Sequence, residues 1–104
     1  MFLFHRKASE PLPEDVLREH YVFSGRVQNI GFRYEMESAA RQHRVTGWVR
    51  NLDNGKVAAE LQGTRRQIDA VLEHMHSVPR IHITDTDRQS VRPVPGEKNF
   101  AEHY

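Results

Sequence analysis

Apolar residues in this chain recur with two different periods, and the order in which those periods alternate leaves few folds open. Tyr21, Val22, Phe23 and Val27 predict a strand over residues 20–27. From Phe32 the spacing changes. Phe32, Met36, Ala39, Ala40 and His43 fall at i, i+4, i+7, i+8 and i+11, one face of a helix. Strand character returns over 45–51. Asp53-Asn54-Gly55 then signals a hairpin, because asparagine and glycine tolerate positive φ. In the next strand Val57, Ala59 and Leu61 share one face, and Gly63 ends it. Thr64-Arg65-Arg66-Gln67 matches a capping box, so a second helix is expected there. Its apolar stripe is Ile68, Val71, Leu72 and Met75, and Pro79 follows its end. Residues 81–86 alternate again, with Ile81 and Ile83 facing in. Residues 88–98, with Pro93, Pro95 and Gly96, read as a loop, and Phe100 to Tyr104 form a candidate short last strand.

The order β-α-β-β-α-β, with a candidate fifth strand, points to an α+β fold. The architecture expected is a ferredoxin-like βαββαβ sandwich: one antiparallel sheet with two helices on one face. That fold hosts many functions, so activity has to be read from side chains. Residues 1–19 contain Pro11 and Pro13 and keep no period. They are read as an N-terminal extension, where mobility is expected, ahead of a domain over 20–104. A first helical turn is expected from Pro13-Glu14-Asp15.

Composition excludes several chemistries. The chain has no cysteine, so a thiolate nucleophile, a disulfide and a cysteine-bound metal are all absent. Its 104 residues carry a net charge of +1, so no global field calls for nucleic acid or an anionic membrane. The apolar start Met1-Phe2-Leu3-Phe4 is too short for a signal segment, and a cytoplasmic location with no membrane partner is expected. The seven histidines show no metal spacing. His74 and His76 are two apart on a helix and point away from each other, so no metal and no cofactor are expected. Absent heptads lean to a monomer.

The most informative segment joins the first strand to the first helix. A loop that runs into a helix start aims backbone N–H groups, and the positive end of the helix dipole, at one point. Gly25, Arg26, Val27, Gln28, Asn29 and Ile30 form this candidate phosphate-binding loop. Glycines at 25 and 31 let it curl, and Asn29 is the type next best suited to a left-handed position. Arg33 falls in the first helical turn, where a positive charge opposes the dipole unless an anion is bound. Arginine also grips phosphate with paired hydrogen bonds. Asn51 ends the second strand. Were that strand beside the first, Asn51 would face the loop, where a carboxamide can hold an attacking water and donate to a phosphoryl oxygen. Trp48 reads as a core or sheet-face aromatic.

The segment Gly25-Arg26-Val27-Gln28-Asn29-Ile30-Gly31-Phe32-Arg33 resembles the loop signature of the acylphosphatase family. Gly47-Trp48-Val49-Arg50-Asn51, then Asn54-Gly55 and Val57, resembles its second signature at matching spacing. The likeness spans about residues 20–104. It implies a hydrolase that cleaves the carboxyl–phosphate anhydride of a small acyl phosphate, without metal or phosphoenzyme. It also implies that Arg33 and the backbone of Val27 to Ile30 bind the phosphate, that Asn51 positions the water, and that inorganic phosphate acts as product or inhibitor. The family usually has glycine where Asn29 stands and ends in Ile-Arg-Tyr where this chain has Glu102-His103-Tyr104. Two other readings are weighed against it: a non-catalytic module binding phosphate or carbamoyl phosphate in the same cradle, and a ferredoxin-like RNA-binding domain.

Overall fold

The computed structural model describes residue 13 and residues 15–104; most of the expected extension, residues 1–12 and 14, lies outside the described residues. Seven elements follow in order: β1 (Leu17–Arg26), α1 (Phe32–Gln42), β2 (Thr46–Asn51), β3 (Val57–Gly63), α2 (Arg65–Ser77), β4 (His82–Val91) and β5 (Phe100–His103). The five strands form one sheet in the order β4-β1-β3-β2-β5. β1 pairs antiparallel with β3 and β4, and β2 antiparallel with β3. β5 runs parallel to β2, so the sheet is mixed rather than antiparallel throughout.

The helices form where the apolar stripes lie. Phe32, Met36, Ala39 and Ala40 of α1 are buried, as are Ile68, Val71 and Met75 of α2. They close over Tyr21, Phe23, Val49, Val57, Ala59 and Leu61, the inward residues of the central strands. The expected capping box starts α2. The Gln67 backbone N–H donates to Thr64 Oγ1 at 3.2 Å, and the Thr64 N–H donates to Gln67 Oε1 at 2.9 Å. Such a cap contributes about 1 kcal/mol. At the hairpin the Lys56 N–H donates to Asn54 Oδ1 at 3.0 Å, and Gly55 sits at φ 87°.

Two boundaries and one strand neighbour differ from expectation. First, β1 begins at Leu17, three residues before His20, because its early charges are buried against partners. Arg18 donates to Glu60 at 2.6 Å, to Gln62 at 3.0 Å and to Glu97 at 2.8 Å. Burial opposes its charge, but its hydrogen bonds to Glu97 and Glu60 outweigh that and hold its pKa above the ordinary arginine value. Arg65 holds Glu19 with two hydrogen bonds, at 2.7 and 3.0 Å, and the Tyr21 hydroxyl also donates to it. Second, β4 runs on to Val91, through residues read as loop. Thr84 to Ser90 are exposed on both faces, so nothing in their hydropathy alternates; pairing with β1 alone makes them a strand. Third, β2 is not beside β1, since β3 lies between them. The loop from β1 therefore crosses the start of β3 to reach α1, which packs over β2 and β5.

Among the described residues no helix is long and apolar enough to cross a membrane.

Candidate active site

The loop 27–31 is shaped by its backbone and tied down by side chains. Asn29 at φ 61° and Gly31 at φ 83° both adopt the left-handed conformation, and Gly31 caps α1. Asparagine is among the few side chains that tolerate this region, so the loop keeps its curl without glycine at 29. Gln28 spans the gap to the hairpin, its Nε2 donating to the carbonyls of Leu52 at 2.7 Å and Lys56 at 2.8 Å. That clamp is how the end of β2 meets a loop that leaves a non-neighbouring strand. From the other side Arg80 Nε donates to the Ile30 carbonyl at 2.7 Å, and Arg80 Nη2 pairs with Glu35 at 2.7 Å. His74 Nε2 lies 2.9 Å from the same Glu35 carboxylate. The His74 contact, then Arg80, draws the Glu35 pKa below the ordinary value.

The loop, the start of α1, the end of β2 and β5 enclose a cavity of about 110 Å³. Asn29, Arg33, Asn51 and Glu102 give it polar walls, and Val27 and Phe32 line it as well. Arg33 and Asn51 thus line one cavity together with Val27 and Asn29, although β2 does not lie beside β1. The other candidate loop residues do not contribute side chains. Gly25 and Arg26 belong to β1 and pair with Ile83 and His82 of β4. A Cβ at Gly25 would stand 2.1 Å from the His82 carbonyl oxygen, so this glycine serves the close strand contact at a register shift. Gln28 faces the hairpin, and Ile30 packs against the core.

Arg33 is half-buried. Its Nη1 donates to the His103 carbonyl at 3.1 Å, and its guanidinium lies 4.4 Å from the centre of the Tyr104 ring. These contacts with β5 and Tyr104 tether it where it lines the cavity. Two carboxamides lining the same cavity as a tethered guanidinium suit an anion with a water beside it.

Two further residues escaped the sequence reading. Glu102 places a carboxyl in the same cavity as Arg33, a position that no local pattern announces. Tyr34 lines the mouth and is exposed. A larger cavity, about 590 Å³, opens between α2 and β4 over Tyr21 and Phe23, and holds none of the candidate residues. Trp48 lies on the helix-free face, stacked with His103 at 5.8 Å and edge-on to His20 at 5.8 Å, in keeping with a sheet-face aromatic. Among the described residues no group of three or more His, Asp or Glu is placed to hold a metal ion.

Comparison with known proteins points one way. A family model described as Acylphosphatase matches residues 19–101. An acylphosphatase of Roseiflexus sp. (strain RS-1) is 34% identical over 88 residues, covering 84% of this chain and 95% of that protein. One from Geobacillus thermodenitrificans (strain NG80-2) is 38% identical over 89 residues, covering 80% of this chain and 89% of that protein. Among solved structures, the acylphosphatase of Bacillus subtilis superposes with a TM-score of 0.77 at 29% identity, covering 85% of this chain and 99% of that one. That of Coxiella burnetii gives 0.76 at 25% identity, covering 86% and 95%.

Proposed function

This chain belongs to the acylphosphatase family, and from that premise we propose that Arg33 and Asn51 carry out its hydrolysis of acyl phosphates. The phosphoryl group of the substrate sits in the curled loop, held by Arg33 and by backbone N–H groups of Val27 to Ile30. Asn51 accepts a hydrogen bond from a water and donates to a phosphoryl oxygen, setting the water in line with the bond to be broken. The water oxygen attacks phosphorus, the P–O bond to the carboxyl group breaks, and its electron pair leaves on the carboxylate. The water's proton passes to a phosphoryl oxygen, since a carboxamide is no base. A carboxylate leaves without protonation, so positioning and charge stabilisation suffice and no metal or phosphoenzyme is called for.

The observation that carries this reading is the meeting of Arg33 and Asn51 across one small cavity, from elements far apart in sequence. Asn29 gives no support to a non-catalytic module, because at φ 61° it fills the left-handed position that glycine would. A monomer and a cytoplasmic location complete the reading.

The test is inhibition. Inorganic phosphate is expected to compete with benzoyl phosphate, and EDTA to leave turnover unchanged. Non-competitive inhibition, or loss of activity with the chelator, would contradict the site or the metal-free chemistry.

A further inference from the structure

Glu102 lines the same cavity as Arg33 and Asn51, although an anion site has every reason to exclude a carboxylate. Nothing in the fold demands it there. Glu102 stands on β5 opposite Val49 of β2, a half-buried edge position where an uncharged side chain would serve as well. Its surroundings are acidic on one side. Glu37 of α1 is near enough to act on it, and Glu37 pairs with Arg41 one turn on, at 3.3 Å. Arg33, also on α1, and the Tyr104 hydroxyl are the groups that favour the ionised form; β2 contributes the uncharged Asn51 to this cavity.

We propose that Glu102 is a binding residue for the phosphoryl group and acts in its protonated form, donating a hydrogen bond to a phosphoryl oxygen, so that phosphate affinity falls as this one carboxyl ionises. The inference rests on the assignment of this cavity to the phosphoryl group. A carboxyl set beside a second carboxyl holds its own negative charge less readily. Burial, then the hydrogen bond and repulsion from Glu37, push the Glu102 carboxyl above the ordinary carboxylate value; the Arg33 charge and the Tyr104 hydroxyl only moderate this. A bound phosphoryl group adds negative charge to the cavity and occupies Arg33, which pushes the carboxyl further up. Binding and protonation therefore reinforce each other. Below the Glu102 pKa the side chain is a donor; above it, it repels the ligand.

The experiment is the inhibition constant of inorganic phosphate between pH 5 and pH 8, for wild type, Glu102→Gln and Glu102→Ala. Phosphate's own ionisation is common to all three and cancels in their ratios. Glutamine is neutral and donates at every pH. Glu102→Gln should match wild type at the acid end and bind phosphate more tightly at the alkaline end, by up to about tenfold per pH unit, the limit for one linked proton. Glu102→Ala should bind more weakly than wild type at acid pH, where the donor is lost, and more tightly at alkaline pH, where the repulsion is lost. A ratio of wild type to Glu102→Gln that stays constant with pH would overturn the proposal. So would tighter binding by wild type at alkaline pH, which would mean that the carboxylate assists. If phosphate fails to inhibit the wild type at any pH, the phosphoryl-site assignment falls, and this inference with it.

Discussion

Replacing Arg33 with glutamine should lower kcat/KM for benzoyl phosphate by about 10³-fold while leaving the fold intact. The loss follows from what the side chain does. Among the described residues Arg33 brings the one positive charge that lines the cavity, and it brings it in a form that matches two phosphoryl oxygens at once. Charge builds on those oxygens as the bond to the carboxylate breaks, so the guanidinium binds the transition state better than the ground state. The small structural effect follows from where Arg33 sits. A cation in the first turn of α1 works against the helix dipole, and its removal relieves that conflict. The lost hydrogen bond to the His103 carbonyl costs about 1 kcal/mol in return. Circular dichroism and thermal unfolding close to wild type, beside near-complete loss of turnover, are the expected pair of results. Full activity in Arg33→Gln would show that the phosphoryl group binds elsewhere.

Replacing Asn51 with alanine should act on kcat rather than on KM. Asn51 holds a water, not the substrate's bulk, so its removal leaves ground-state binding nearly unchanged and misplaces the nucleophile. A reacting atom misplaced by about 1 Å costs on the order of 10²-fold, and the lost donor to a phosphoryl oxygen adds to that. A fall of about 10²- to 10³-fold in kcat with little change in KM is expected. Asn51→Asp separates the two roles. It keeps the shape and can still accept from water, but its charge repels the phosphoryl group, so KM should rise as well. A rise in KM alone for Asn51→Ala would make Asn51 a binding residue and not a water-positioning one.

The parts of this molecule that were legible in its sequence are those where one residue type has one physical use. Gly31 and Asn29 mark left-handed turns because few other residues tolerate them, and both adopt positive φ. Thr64 and Gln67 cap α2 reciprocally, as their spacing requires. Arg33 stood out as a charge in the wrong place on a helix, and the conflict pointed to an anion. What stayed hidden depends on long-range pairing. Arg18 and Glu19 fall in the expected extension, and only Glu60, Glu97 and Arg65, met across the fold, draw them into β1. The second half of β4 carries no alternation, because both its faces are exposed. Asn51 was expected to reach the loop from a strand beside β1. It reaches it from two strands away, through the Gln28 clamp on the hairpin. Glu102 was invisible as a site residue because its cavity is built only when β5 joins β2 in parallel.

The central claim is that water attacks phosphorus held in this cavity. It is tested most directly by letting the protein hydrolyse benzoyl phosphate in ¹⁸O-labelled water with EDTA present, then locating the label. Steady turnover with the label in inorganic phosphate, and none in benzoate, is the predicted result. Label in benzoate would mean attack at the carbonyl carbon and a different use of Arg33 and Asn51, and a folded protein that releases no product would contradict the account altogether.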